Sequence, residues 1–211
     1  LKECYESAVA HVNRHVRAAA MQCLEQYVTH CPDPSILRDT TVEVLKAGLA
    51  DNWSQVRMAA SVLCRVWLQH YTIDDDAMMA ILLPRMCLNR FYLAAGVKLY
   101  SHDTWRMIFC DGSGIQRMQK QVNAVVRYYV KCCDADNHVV REAACQAIAE
   151  LVGRIDVQDN VETLLQALKM CFYDESWPVR DEACLACGSL CKAYPESVSI
   201  DSLWERFVEQ L

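Results

Sequence analysis

A six-residue phrase recurs along this chain. It reads His15-Val16-Arg17-Ala18-Ala19-Ala20, then Gln55-Val56-Arg57-Met58-Ala59-Ala60, Val139-Val140-Arg141-Glu142-Ala143-Ala144 and Pro178-Val179-Arg180-Asp181-Glu182-Ala183. Phe91-Tyr92-Leu93-Ala94-Ala95-Gly96 is a weaker copy. The anchors Val16, Val56, Tyr92, Val140 and Val179 stand 40, 36, 48 and 39 residues apart. A period near forty constrains the fold more than any composition does. One unit of that length cannot bury its own apolar face, so neighbours must stack. Stacked arrays expose long surfaces and serve mostly to bind other macromolecules.

Each unit reads as two helices. Val161, Leu164, Leu165, Leu168 and Phe172 share one helical face over 159–173. Asp174-Glu175-Ser176 breaks that pattern, Ser176 can cap a second helix, and Pro178 is tolerated in a first turn. The second helix runs through Cys187 and Leu190 to Ala193, where Tyr194-Pro195 ends it. The same plan predicts helices over 36–49 and 54–70, and over 115–133 and 137–152. Sustained period-two alternation and hairpin dipeptides are absent, so the expected class is all-α.

The sequence resembles the HEAT-repeat family. The resemblance rests on a turn acid, a Val-Arg pair and small residues after it: Asp51, Val56-Arg57 and Ala59-Ala60; Asp136, Val140-Arg141 and Ala143-Ala144; Asp174, Val179-Arg180 and Ala183. Trp53 and Trp177 sit in the turns, and Pro84 matches a kink common in this family's first helices. The resemblance implies an α-solenoid of about five helix pairs plus a partial sixth. It implies a structural ladder of Asp51, Arg57, Asp136, Arg141, Asp174 and Arg180. Arg141 is expected beside Asp134 or Asp136, and Arg180 beside Asp174. Two copies depart from the pattern: His11 replaces the first acid, and the third copy lacks Val-Arg. The expected organisation is a single array over 1–211, with repeats at 1–31, 32–71, 72–111, 112–154, 155–195 and 196–211. Ile200, Leu203, Trp204, Phe207, Val208 and Leu211 form the stripe of the partial sixth. Neither end carries a polar cap, so the chain reads as a piece of a longer protein.

Composition narrows the partners. Hydrophobic residues make up 53% of the chain, enough for a sizeable core. The formal net charge of −6 opposes general binding to phosphate backbones. Thirteen cysteines is an odd count, and Cys64, Cys145, Cys184 and Cys187 follow helix interiors. They read as reduced core residues in a cytoplasmic protein. Cys171, Cys184, Cys187 and Cys191 have metal-like spacing, but the last three also follow a core stripe. The expectation is therefore no metal and no cofactor. Adjacent Cys132 and Cys133 point apart and are not expected to chelate. No His precedes a Glu, and Asp111-Gly112-Ser113-Gly114 lacks the Lys-Ser/Thr of a phosphate loop, so no catalytic residues are assigned. Asp74-Asp75-Asp76 reads as negative charge at a helix start.

The candidate partner-binding residues lie elsewhere. Over 115–133, Arg117, Lys120, Arg127 and Lys131 fall within an arc of about 80° on a helix carrying no acid. This stripe is either a docking face for an acidic surface or peptide, or an ordinary solvated face. Trp105 and Arg106 are the second candidate, either as a binding pair or with Trp105 buried. Trp67 lies in a core register. The expected function is a non-catalytic protein–protein interaction scaffold or adaptor in the cytoplasm. Its partners would be other proteins, with no membrane insertion and no nucleic acid. The alternative is a cytoskeletal, tubulin-binding-like HEAT module. Trp53 fits it, although Ser54-Gln55 follows where a basic pair belongs. A HEAT-like enzyme is a distant third.

Overall fold

Three of the long helices begin where the sequence supplies an oxygen for a free backbone donor. The computed structural model describes residues 2–71 and 75–198, together with Leu203 and Val208. In order the helices are α1 (Lys2–Val9), α2 (Arg14–His30), α3 (Arg38–Gly48), α4 (Ser54–His70), α5 (Asp76–Asn89) and α6 (Ala95–Ile108). They continue with α7 (Ser113–Lys120), α8 (Val122–Cys133), α9 (His138–Arg154), α10 (Val161–Cys171) and α11 (Trp177–Ala193). Short 3-10 turns at Pro34–Leu37 and Gln158–Asn160 lead into α3 and α10. No strand occurs among the described residues. The fold is thus all-α, of the helical-repeat solenoid class. Asn13, Asp75 and Asn137 accept backbone N–H groups at the heads of α2, α5 and α9, satisfying donors that have no helical partner. The expected sixth-repeat stripe lies outside the described residues apart from Leu203 and Val208, and so does Asp74.

The chain divides into two units, Leu1–Gly114 and Ile115–Leu211. In the first, α2 packs on α4 and α4 on α6, while α1 packs on α3 and α3 on α5. Hairpin partners α1/α2, α3/α4 and α5/α6 join the two layers. Leu24, Leu45, Leu63, Trp67, Leu82 and Leu83 are completely buried between them. Each such side chain contributes roughly 1.5–3 kcal/mol. Pro84 lies inside α5, also buried. In the second unit, α9 packs on α11 and α8 on α10, with α8/α9 and α10/α11 as hairpins. Its core includes Val125, Tyr129, Ile148, Leu151, Leu164, Leu168 and Leu190.

One expected helix is broken. Residues 115–133 do not form a single helix, because α7 ends at Lys120 and α8 starts at Val122. Gln121 between them has φ −104° and ψ 19°. This is the bridge region, a conformation of helix ends rather than interiors. Met118, Val125, Val126 and Tyr129 stay buried across the break, so apolar periodicity does not register it.

Candidate functional site: the turn ladder, the basic helices and a cysteine cluster

The repeated arginines do two jobs at once. Arg141 Nη1 donates to the carbonyls of Ala135 and Asp136 in its own turn, at 2.8 and 3.0 Å. Its Nε and Nη2 then reach Asp174 of the next repeat, at 2.5 and 2.8 Å. Arg17 repeats this geometry. Its Nη1 donates to His11 and Val12 carbonyls, and its Nε and Nη2 bind Asp51 at 2.7 and 3.1 Å. Both pairs are bidentate and mostly shielded from water, the geometry that makes Arg–carboxylate contacts strong. Each acid is fixed from behind as well. Asp51 Oδ1 accepts from the Trp53 backbone N–H, and Asp174 Oδ1 from that of Ser176.

The arrangement corrects one pairing expected from sequence. Arg141 takes only the backbone carbonyl of Asp136, whose side chain is exposed, and binds the acid one repeat later. Arg180 likewise donates to the carbonyl of Asp174 and to that of Glu175. Arg17 and Arg141 therefore reach forward along the chain. The same rule shows what replaces the acid in the third repeat. Arg57, 1% exposed, donates to Asn89 Oδ1 at 2.6 Å and to the carbonyls of Leu49 and Asp51. Its guanidinium also lies 4.2 Å from the Tyr92 ring centroid. Asn89 follows Asp51 by 38 residues, the repeat spacing, and that register could have found it.

Charge on Asp174 follows from its surroundings. Burial pushes its carboxyl up. The hydrogen bonds from Arg141 and the Ser176 backbone, with the Arg141 and Arg180 charges, outweigh that and hold it below its ordinary value.

The four expected binding cations divide between α7 and α8. Arg117 and Lys120 lie on the first, Arg127 and Lys131 on the second. Lys120, Arg127 and Lys131 are exposed, whereas Arg117 is half-buried and its Nε is shielded. The continuous stripe is thus two short basic segments separated by Gln121. Neither helix contains an acid. Trp105 is half-buried, tilted against Phe109 and stacked under Arg90, whose guanidinium is 4.5 Å away. Arg106 is exposed and pairs with Asp103. Trp53, 47% exposed, carries the Arg14 guanidinium at 4.1 Å. The sequence reading placed Trp177 in a turn without a role. Trp177, Tyr173 and Met170 are all largely exposed around the α10–α11 turn.

Cysteines gather in a way the sequence spacing concealed. The quartet Cys171, Cys184, Cys187 and Cys191 is not what meets. Instead Cys133 ends α8, Cys145 lies in α9 and Cys171 ends α10, with their sulfurs all within 4.8 Å of one another. All three are buried. Cys171 Sγ also donates to the Cys133 carbonyl at 3.6 Å. Hydrogen bonds from Cys133 and Cys145 pull Cys171 below an ordinary thiol, and Cys145 is pushed up in return. By contrast Cys64, buried alone, is pushed up to about 12.

A family model for the HEAT repeat matches residues 164–194, the α10–α11 hairpin. A TOG domain of Zyg9 from C. elegans aligns with 97% of this chain and 74% of its own, at 12% identity and a TM-score of 0.59. An engineered protein aligns with 97% of the chain and 84% of its own, at 15% identity and a TM-score of 0.46. A designed armadillo-repeat protein aligns with 90% and 99%, at 14% identity and a TM-score of 0.40. The first of these likenesses is one of fold. No curated protein matches the chain. No helix among the described residues is long and apolar enough to cross a membrane.

Proposed function

Taking this chain as a member of the HEAT-repeat family, we propose that it is a non-catalytic scaffold that binds an acidic protein surface through α7 and α8. One observation carries the reading. Lys120, Arg127 and Lys131 are exposed on two consecutive helices that hold no acid, in a chain of net charge −6. Like charges at helical spacing cost a few tenths of a kcal/mol, and Arg127 and Lys131 stand four residues apart on α8. The Arg–acid pairs are struts, because their guanidiniums are committed to carbonyls and carboxylates inside the repeats. The working compartment is the cytoplasm, where the chain's thiols stay reduced. The test is affinity capture by the parent and by a Lys120→Glu, Arg127→Glu, Lys131→Glu variant, followed by binding kinetics on the captured partner. Loss of capture, with a parental on-rate that falls as salt rises, supports the reading. Unchanged affinity in a folded triple variant removes it.

A second reading is a tubulin-binding-like module. The sequence lacks a basic pair after Trp53, but Arg14 from the preceding repeat stacks on that ring and supplies a cation beside an exposed aromatic. Co-sedimentation with polymerised tubulin, lost in Trp53→Ala and Arg14→Ala, would favour this reading. No co-sedimentation would remove it.

A further inference from the structure

We propose that Cys133, Cys145 and Cys171 form a three-thiolate site for one thiophilic d10 cation, zinc(II) or copper(I). Three separate helices deliver the three sulfurs to one point in the second unit, all within 4.8 Å of one another. A cation about 2.3 Å from each of three coplanar sulfurs would hold them about 4 Å apart, so a contraction of under about 1 Å closes the site. No other trio of His, Cys, Asp or Glu ligand atoms meets so closely among the described residues. Buried cysteines elsewhere, such as Cys64 and Cys87, belong to no such trio.

Register points the same way. Cys133 and Cys171 hold one position in successive repeats, 38 residues apart, each three residues before a turn acid (Asp136 and Asp174). The corresponding residue before Asp51 is Gly48. Cys145 comes four residues after Arg141, one helical turn along α9, which carries it into the space between the other two. The equivalent residue after Arg57 is Ser61. Among the described residues, only the junction of these two repeats places three thiols together.

The chemistry restricts the ligand. Three sulfur donors at a buried point favour soft cations over magnesium or calcium, which want oxygen. Binding replaces the S–H protons, which leave to solvent, with one metal–sulfur bond at each thiolate. Arg141 is the nearby positive charge acting on Cys171 and offsets part of the negative charge that remains. The Cys133 carbonyl, 3.6 Å from Cys171 Sγ, offers an oxygen to a cation that requires a fourth donor. Zinc wants that fourth position, and three-coordinate copper(I) does not. The cation would pin α8, α9 and α10 together, a staple within the second unit rather than a reaction centre.

The experiment uses the full chain with the more accessible Cys4, Cys23, Cys31, Cys110, Cys184 and Cys191 changed to Ser. Zinc(II) and anaerobic copper(I) are titrated separately against a chromogenic chelator, and the metal-edge X-ray absorption of each complex is recorded. The expected result is one equivalent of either cation with three sulfur scatterers at about 2.3 Å. Affinity should fall at least tenfold in Cys145→Ser and in Cys171→Ser, and remain unchanged in Cys64→Ala. A fourth, oxygen scatterer marks zinc, and its absence marks copper(I). The same X-ray absorption on the unaltered chain needs no variant to fold. Fewer than three sulfurs for both cations, or affinity that survives the Cys145→Ser, Cys171→Ser double change, overturns the proposal.

Discussion

Arg57 is the most consequential single side chain in the first unit. It is almost completely buried, and it satisfies the Leu49 and Asp51 carbonyls and Asn89 together. Truncation takes this donor from the Asp51 carbonyl and Asn89 Oδ1, while the Leu49 carbonyl keeps Asn89 Nδ2, and leaving a buried acceptor without its donor typically costs about 1–3 kcal/mol. Arg57→Ala should therefore lower the denaturation midpoint sharply with unchanged far-ultraviolet helicity at low temperature. A midpoint within error of the parent would show that these contacts contribute nothing. Asp174 gives a pH-dependent counterpart. Its carboxyl lies below the ordinary value in the folded state. The folded form therefore binds the proton more weakly than the unfolded chain. Its contribution is fully present above about pH 4 and is lost as pH falls through the lower folded value. Asp174→Asn should weaken the chain at neutral pH and flatten the acid limb of its stability curve below about pH 4. An unaltered acid limb would contradict the pairing. At this scale the sequence identified most of the residues but not their partners. Val-Arg and the turn acid are local signals, whereas the choice between its own turn and the next repeat is made by packing.

Elements divide into those that periodicity defines and those it does not. The spacing predicted 54–70 for α4, and the helix runs Ser54–His70. Capping residues and apolar stripes agree there, so local and tertiary preferences coincide. The break at Gln121 was invisible because the buried stripe continues across it. Glycines show the same contrast. A Cβ on Gly114 would lie 2.5 Å from Trp105 Cζ2, so the start of α7 depends on having no side chain there. Gly114→Ala should cost about 1–3 kcal/mol and alter the Trp105 fluorescence, as overpacking does. Gly188, inside α11, has nothing within 4 Å of a built Cβ. Gly188→Ala should raise stability by about 0.5–1 kcal/mol from helix propensity alone. Denaturant titration of both variants checks the pair, and equal effects would refute the packing described at Gly114. The cysteine trio was illegible for a related reason. Its members are distant in sequence, and the spacing rule favoured Cys184 and Cys187 on one helix over three helix positions that only stacking brings together.

For the whole molecule, repetition and function separate. The feature that repeats is the arginine–acid strut, which holds successive helix pairs in register. The candidate for recognition is what does not repeat: the acid-free α7 and α8 with Lys120, Arg127 and Lys131. Repeat proteins draw stability from interfaces between neighbouring units, so a lost strut should weaken the chain while a lost surface charge should not. The repeat and its all-helical class were legible because they are periodic. The basic segment was legible as composition, and its division into two helices was not. The most direct test is the thermal midpoint of Arg141→Ala measured beside that of the Lys120→Glu, Arg127→Glu, Lys131→Glu variant. The account predicts a fall of roughly 5–10 °C for Arg141→Ala, from about 2–4 kcal/mol lost with the strut, and a change under about 2 °C for the charge reversal. A parental midpoint for Arg141→Ala, with a fall in the charge-reversed chain, would mean that strut and surface have been assigned the wrong way round.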